Sequence, residues 1–165
     1  YRVVAILVNV FRSIPFIILI VLLIPVTKTL VGSIIGPVAA LPALILSSAP
    51  FFARLVEIGF REIDKGVVEA AEAMGASKWQ IIYKVLIPES LPAIVSGITV
   101  TTISLVGATA MAGVIGAGGL GNLAYLDGFQ RSQPAVTLVA TLIILVIVFI
   151  IQAIGDVLVK KVDKR

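Results

Sequence analysis

Side chains able to do covalent chemistry are scarce in this sequence. Its 165 residues include no histidine and no cysteine. A thiol nucleophile, an imidazole base and the common zinc and haem sites are therefore excluded. One nucleotide-binding pattern is present by spacing: Gly116, Gly118 and Gly121 satisfy G-x-G-x-x-G. That fingerprint works only with a strand before it, a helix after it and an acidic residue about 20 positions on. Here an apolar run rich in Gly, Ala and Thr precedes it, and position 141 is a threonine. No Gly-Lys pair occurs anywhere, so a Walker A loop is absent and any ATP chemistry must come from another chain. No cofactor and no metal are expected.

The scaffold explains this poverty. Hydrophobic residues make up 59% of the chain and charged residues 13%, with a mean hydropathy of +1.16. A charged share about half the usual one cannot cover a water-exposed surface. Soluble enzyme, disordered tail and disulfide-stapled secreted domain are excluded together, and an integral membrane protein remains. The chain begins at Tyr1 rather than Met, which leads us to expect a natural N-terminus further upstream. No signal peptide is visible.

The gaps between charges predict the architecture. Thr29 to Ala53 is a charge-free run of 25 residues, Ser90 to Leu126 one of 37, and Ser132 to Gly155 one of 24. Each is long enough, as a helix, to cross a hydrocarbon core of about 30 Å. A shorter run, Ser13 to Thr27, carries Pro15 and Pro25 and spans only if the helix starts earlier, with Arg12 snorkelling to the interface. We expect an all-α polytopic membrane bundle, one permease-like domain over 1–165, with four spans at about 5–26, 34–55, 91–113 and 135–157. Between the second and third lies the densely charged segment Arg54 to Glu89, with five basic and six acidic residues in 36. Placing it in the cytoplasm puts Arg2, Arg12, Arg54, Arg61, Lys65, Lys78, Lys84, Lys160, Lys161, Lys164 and Arg165 inside, against Lys28 and Arg131 outside. Eleven against two satisfies the positive-inside rule and explains the pI near 9.6 without nucleic acid. Both ends are then cytoplasmic.

Polar residues within the spans are neutral: Thr99, Thr101, Thr102, Ser104, Thr109, Thr137, Thr141 and Gln152. An ion-coupled carrier would need intramembrane charges, and an intramembrane enzyme an acid, base or nucleophile at depth; neither is seen. Most of the hydroxyls are expected to bond back to their own helix. On the outer loop Asp127 and Arg131, four residues apart, are read as a solvent-exposed pair.

The charged loop, about 56–89, reads as two short helices joined by glycine. Asp64 is the expected N-cap of the first, and Val67, Ala70, Ala71 and Met74 share one face of it. Gly75 sits where a left-handed glycine would end it. Ser77 and Gln80 have capping-box spacing for a second helix through Trp79, Ile82 and Tyr83, expected to stop at Pro88. Helices this short need a groove to lie in.

Glu69-Ala70-Ala71, then Gly75 after three residues, then Val85-Leu86-Ile87-Pro88 after nine more resembles the EAA loop of bacterial ABC importer permeases. Phe11-Arg12-Ser13-Ile14-Pro15-Phe16, Ala49-Pro50-Phe51-Phe52-Ala53-Arg54 and Gly116-Ala117-Gly118-Gly119-Leu120-Gly121 are similar to the methionine-type subfamily, over nearly the whole chain. That subfamily has five helices, so the chain resembles a permease lacking its first. The resemblance implies a transport subunit without catalysis of its own, in the bacterial inner membrane. Its expected partners are two ATPase subunits, a second copy of itself and an extracytoplasmic binding protein or lipoprotein, in membrane lipid. Glu69, Ala70, Ala71, Met74, Gly75 and Pro88 would couple to the ATPase, and methionine, including its D-enantiomer, would be the substrate. A runner-up is a permease for osmoprotectants such as glycine betaine or choline, although the one tryptophan, Trp79, lies in the loop and offers no cage for a quaternary ammonium.

The small residues from Gly107 to Gly121 admit two readings. One is close helix packing, since small side chains let backbones approach in lipid. The other is a subunit interface around the substrate path, with Met111 a constriction between Gly107 and Gly113 whose thioether can change rotamer.

Overall fold

The computed structural model describes residues 1–163, with Val114 described by its backbone alone; Lys164 and Arg165, expected inside, lie outside the described residues. Among the described residues every regular element is helical. In chain order come α1 (Arg2–Ser13), α2 (Phe16–Leu22), α3 (Ile24–Val31), α4 (Pro37–Arg61), α5 (Lys65–Ala73) and α6 (Lys78–Ile81). A π-helical turn, Ile82–Leu86, then leads into α7 (Ile87–Met111) and a 3₁₀ turn, Ala112–Ile115. The chain closes with α8 (Leu120–Asn122), a second π-helical stretch, Leu123–Gln130, and α9 (Pro134–Val162).

Three helices are long and apolar enough to cross a membrane: Pro37–Arg61, the continuous Lys78–Met111 and Pro134–Val162. The third contains the segment expected at 135–157, and the first two overlap those expected at 34–55 and 91–113, starting three residues late and ending two residues early respectively. The span expected at 5–26 is not one helix. It breaks after Ser13, and α1 and α2 meet at 107°. Pro15 has no amide hydrogen to continue the ladder and forces Ile14 into an extended conformation, with φ −82° and ψ 123°.

The two ends of the bundle are fixed by contacts. At one end the Tyr1 hydroxyl donates to Glu57 Oε1 at 3.1 Å, and Glu57 accepts from Arg54 at 2.8 Å and Arg61 at 2.7 Å. The same end holds a cleft where the C-termini of α4 (Glu62) and α9 (Val162) meet the start of α7 (Pro88). The opposite end carries α3, the 3₁₀ turn and the second π stretch, tied to the start of α4 by Gly36 N–H donating to Ile115 O at 2.9 Å.

Small residues draw the helices together. A Cβ on Gly59 would lie 2.6 Å from Ala93 Cβ, and one on Gly155 would overlap the Thr99 side chain. Gly121 meets Ala110 in the same way. Such contacts replace the hydrophobic driving force, which lipid removes. Near the opposite end Ile20, Ala40, Ala43 and Ala112 form the buried core. Elsewhere apolar side chains face outward: only 6% of the most apolar window of α9 is buried. A surface of that composition needs lipid or another protein over it.

Candidate functional site

The charged loop is built as its residues dictate. Asp64 caps α5 by accepting from Gly66 N–H at 2.8 Å. The helix ends in a Schellman motif: Gly75 has φ +79°, its N–H donates to Glu72 O at 2.9 Å, and Ala76 N–H donates to Ala71 O at 3.1 Å. Ser77 and Gln80 then form the reciprocal box, with Ser77 N–H donating to Gln80 Oε1 at 2.8 Å and Gln80 N–H to Ser77 Oγ at 3.3 Å.

The expected face of α5 divides. Ala71 is buried, while Glu69, Ala70, Val67 and Met74 are exposed, Met74 to 83%. Trp79 and Tyr83 stack with ring centroids 6.1 Å apart and are 69% and 65% exposed. A methionine and two aromatic rings in water, on a tightly capped loop, are the composition of a docking surface. Ala71 instead lies on the buried side of α5, which packs against α6 and the π turn.

Pro88 does not stop the second helix. The backbone runs without a break from Lys78 to Met111, and Pro88 sits two residues after the π turn. The widened turn accommodates a residue whose ring would crowd the carbonyl one turn back and which has no N–H to donate. The second helix of the charged loop and a helix long enough to cross a membrane are thus one rod.

Higher in the bundle, Gly107 is exposed and a Cβ there would meet nothing within 4 Å. Met111, one turn on, is 51% exposed on the same helix face. Gly113 differs from both: it is buried, and a Cβ on it would stand 2.5 Å from Asn122 Oδ1. Packing therefore accounts for Gly113 and Gly121 within one protomer, and leaves Gly107 and Met111 on an open face.

The span hydroxyls behave as expected, with two exceptions. Thr99, Thr101, Thr102, Thr109 and Thr141 donate to carbonyls of their own helices at 2.7–3.0 Å. Thr137 instead donates across to Ala124 O at 3.1 Å. Ser104 makes no hydrogen bond among the described residues. Asp127 and Arg131 pair at 2.8 Å; Arg131 is exposed as expected, while Asp127 is half-buried.

Arg12 is the residue whose setting sequence reasoning did not show. Expected at the inner interface, it lines a cavity with Ser47, Ser48, Thr101 and Ser104. Ser47 and Ser48 lie midway along α4, ten or more residues from either end, or about 15–20 Å at 1.5 Å per residue. Arg12 therefore stands opposite the middle of a helix long enough to cross a membrane. An arginine there costs about 2.5–3.5 kcal/mol on insertion scales unless it faces water or a partner. The signal in the sequence was a charge three residues before a proline, next to the bend that the proline makes.

The profile of the family described as "Binding-protein-dependent transport system inner membrane component" matches residues 1–164. The chain is 65% identical over 163 residues to the methionine import system permease protein MetP of Bacillus subtilis, covering 99% of this chain and 73% of that protein. It is 50% identical over 159 residues to the probable D-methionine transport system permease protein MetI of Haemophilus influenzae, covering 96% and 75%. Among solved structures, a chain of the MetNI methionine ABC transporter in an inward-facing conformation superimposes with a TM-score of 0.95 at 46% identity, over 99% of this chain and 76% of that one. With its spans, its glycine-hinged loop and this match over nearly its full length, the chain belongs to the family of binding-protein-dependent transport system inner membrane components.

Proposed function

We propose that the chain is the permease subunit of an ATP-driven importer of methionine, including its D-enantiomer. It works as a pair with two ATPase subunits and an extracytoplasmic binding protein, and carries no catalytic site itself. The observation that carries the reading is the capped loop of α5 and α6: Glu69, Ala70, Met74 and the Trp79–Tyr83 pair stand exposed around Gly75 on a rod continuous with a span. The names of the relatives above support methionine over an osmoprotectant. With Arg12 opposite the middle of α4, the eleven inner basic residues become ten against two, so the loop, the start of α1 and the end of α9 still face the cytoplasm.

Work is done on the spans only to the extent that the ATPase binds the inward- and outward-facing states differently. The test is to co-express the permease with a methionine-type ATPase and measure both recovery of a two-plus-two complex and ATP-dependent methionine uptake in proteoliposomes. Absence of a complex from well-folded permease overturns the reading.

Met111 and Gly107, on the open face, line the substrate path, with the methionine side chain as its constriction. Met111→Ala is expected to raise basal leak of methionine analogues several-fold or to change the uptake rate. A variant unchanged in both, measured in the same vesicles, removes Met111 from the gate.

A further inference from the structure

We propose that Arg12 is a substrate-binding residue inside the membrane: it holds the α-carboxylate of the amino acid as the substrate passes along the bundle. This rests on the transport reading above and adds to it a residue that contacts the cargo.

Three observations converge on Arg12. The first is its place, opposite the middle of α4, where a charge is retained only if something compensates it. The second is that nothing among the described residues does so. There the Arg12 side chain, like that of Arg2 at the start of α1, has neither a hydrogen bond nor an ion pair, whereas Arg54, Arg61 and Arg131 have carboxylate partners. An exposed guanidinium with its donors unspent is a fork shaped for a carboxylate.

The third is the composition of the cavity it lines, of about 120 Å³. The lining is partly hydroxylic: the Ser104 hydroxyl is without a hydrogen-bond partner among the described residues, and Ser47 and Ser48 are held only loosely to their own helix, at 3.5 and 3.4 Å. It also includes the rings of Phe11, Phe16 and Phe51. A cavity of about 150 Å³ holds benzene, so this one admits a carboxylate with part of an apolar side chain. A thioether against aromatic rings is a favourable contact. The lining includes no carboxylate, so the site reads the acid end and the apolar tail of an amino acid, with hydroxyls for the ammonium.

The bend at Pro15 is what aims this group. A straight helix through 5–26 would carry Arg12 along a lipid-facing rod. The 107° turn after Ser13 ends α1 opposite the middle of α4 and turns the chain across the bundle, leaving Arg12 next to the bend.

The experiment is equilibrium binding of labelled methionine to the purified permease–ATPase complex without binding protein, with methioninamide as competitor. Wild type should bind methionine, and methioninamide, lacking the carboxylate, should compete roughly ten- to hundred-fold more weakly, the range for losing a charge-assisted hydrogen bond. Arg12→Gln should weaken methionine binding by a similar factor and erase the discrimination against the amide, while Arg12→Lys should recover part of both. Recovery of the ATPase with each variant reports assembly. Should Arg12→Gln not assemble, the wild-type comparison decides alone: equal competition by methionine and its amide overturns the proposal. Methionine binding by Arg12→Gln at the wild-type level overturns it too, while leaving the transport reading intact. A wild-type complex that binds and transports no α-amino acid overturns both.

Discussion

Gly75→Arg is expected to leave the permease inserted and folded and to abolish its recovery with the ATPase. Two terms separate cleanly at this position. Gly75 has φ +79°, so any side chain there adds a conformational cost of about 1–2 kcal/mol. A Cβ on it would meet nothing within 4 Å, so the protomer imposes no steric penalty. Gly75→Ala pays the first term alone and is expected to keep most of the complex. Gly75→Arg adds a long cation on a loop whose neighbour Met74 is exposed to 83%, in the space that the ATPase contact proposed above would fill. Glu69→Lys, which reverses an exposed charge on the same helix, is expected to have the same outcome. Detergent pull-down against the wild-type ATPase measures all three. Normal recovery with Gly75→Arg and Glu69→Lys places the docking surface elsewhere.

Gly128→Val is expected to be the most damaging change to the bundle itself. Gly128 is buried where the second π stretch turns back into α9, and a Cβ there would overlap the Thr137 side chain and stand 2.8 Å from Thr137 N. A side chain can rotate away, but a backbone nitrogen moves only with its helix. Overpacking of this kind costs about 1–3 kcal/mol. Displacing Thr137 also breaks its bond to Ala124 O, worth about 1 kcal/mol more. Loss of monodisperse protein on heating, followed by size-exclusion chromatography, should move sharply downward. Gly107→Ala is the control: with no atom within 4 Å of the new methyl, the protomer should be as stable as wild type.

Local chemistry was the legible part of this molecule. Asp64, Gly75, Ser77 and Gln80 act within a few residues of themselves, so their types and spacing suffice to predict a cap, a left-handed stop and a capping box. The three longest charge-free stretches likewise predict helices whose presence depends only on length and apolarity. What needed coordinates was anything decided by direction. Pro15 and Pro88 look alike as breakers, yet the first breaks a helix and the second is carried through by a π turn. A four-span reading presumes one helix through 5–26, and the bend after Ser13 divides it, leaving Arg12 in the last turn of α1 beside a cavity. The split of α5 into a buried Ala71 and an exposed Met74 depends on what packs against the helix, which no helical period states.

The unbroken helix Lys78–Met111 has a mechanical meaning. Its 34 residues make a rod about 51 Å long. Ala93 lies against Gly59, Gly97 against Phe52 and Leu55, and Thr99 against Gly155 along its middle, while Ala110 at the far end lies against Gly121. The rod is therefore gripped at mid-length and at the tip remote from Trp79, with no break between. On the proposed function it works as a drive shaft: a displacement of the aromatic end carries α8, which holds Gly121, along with it.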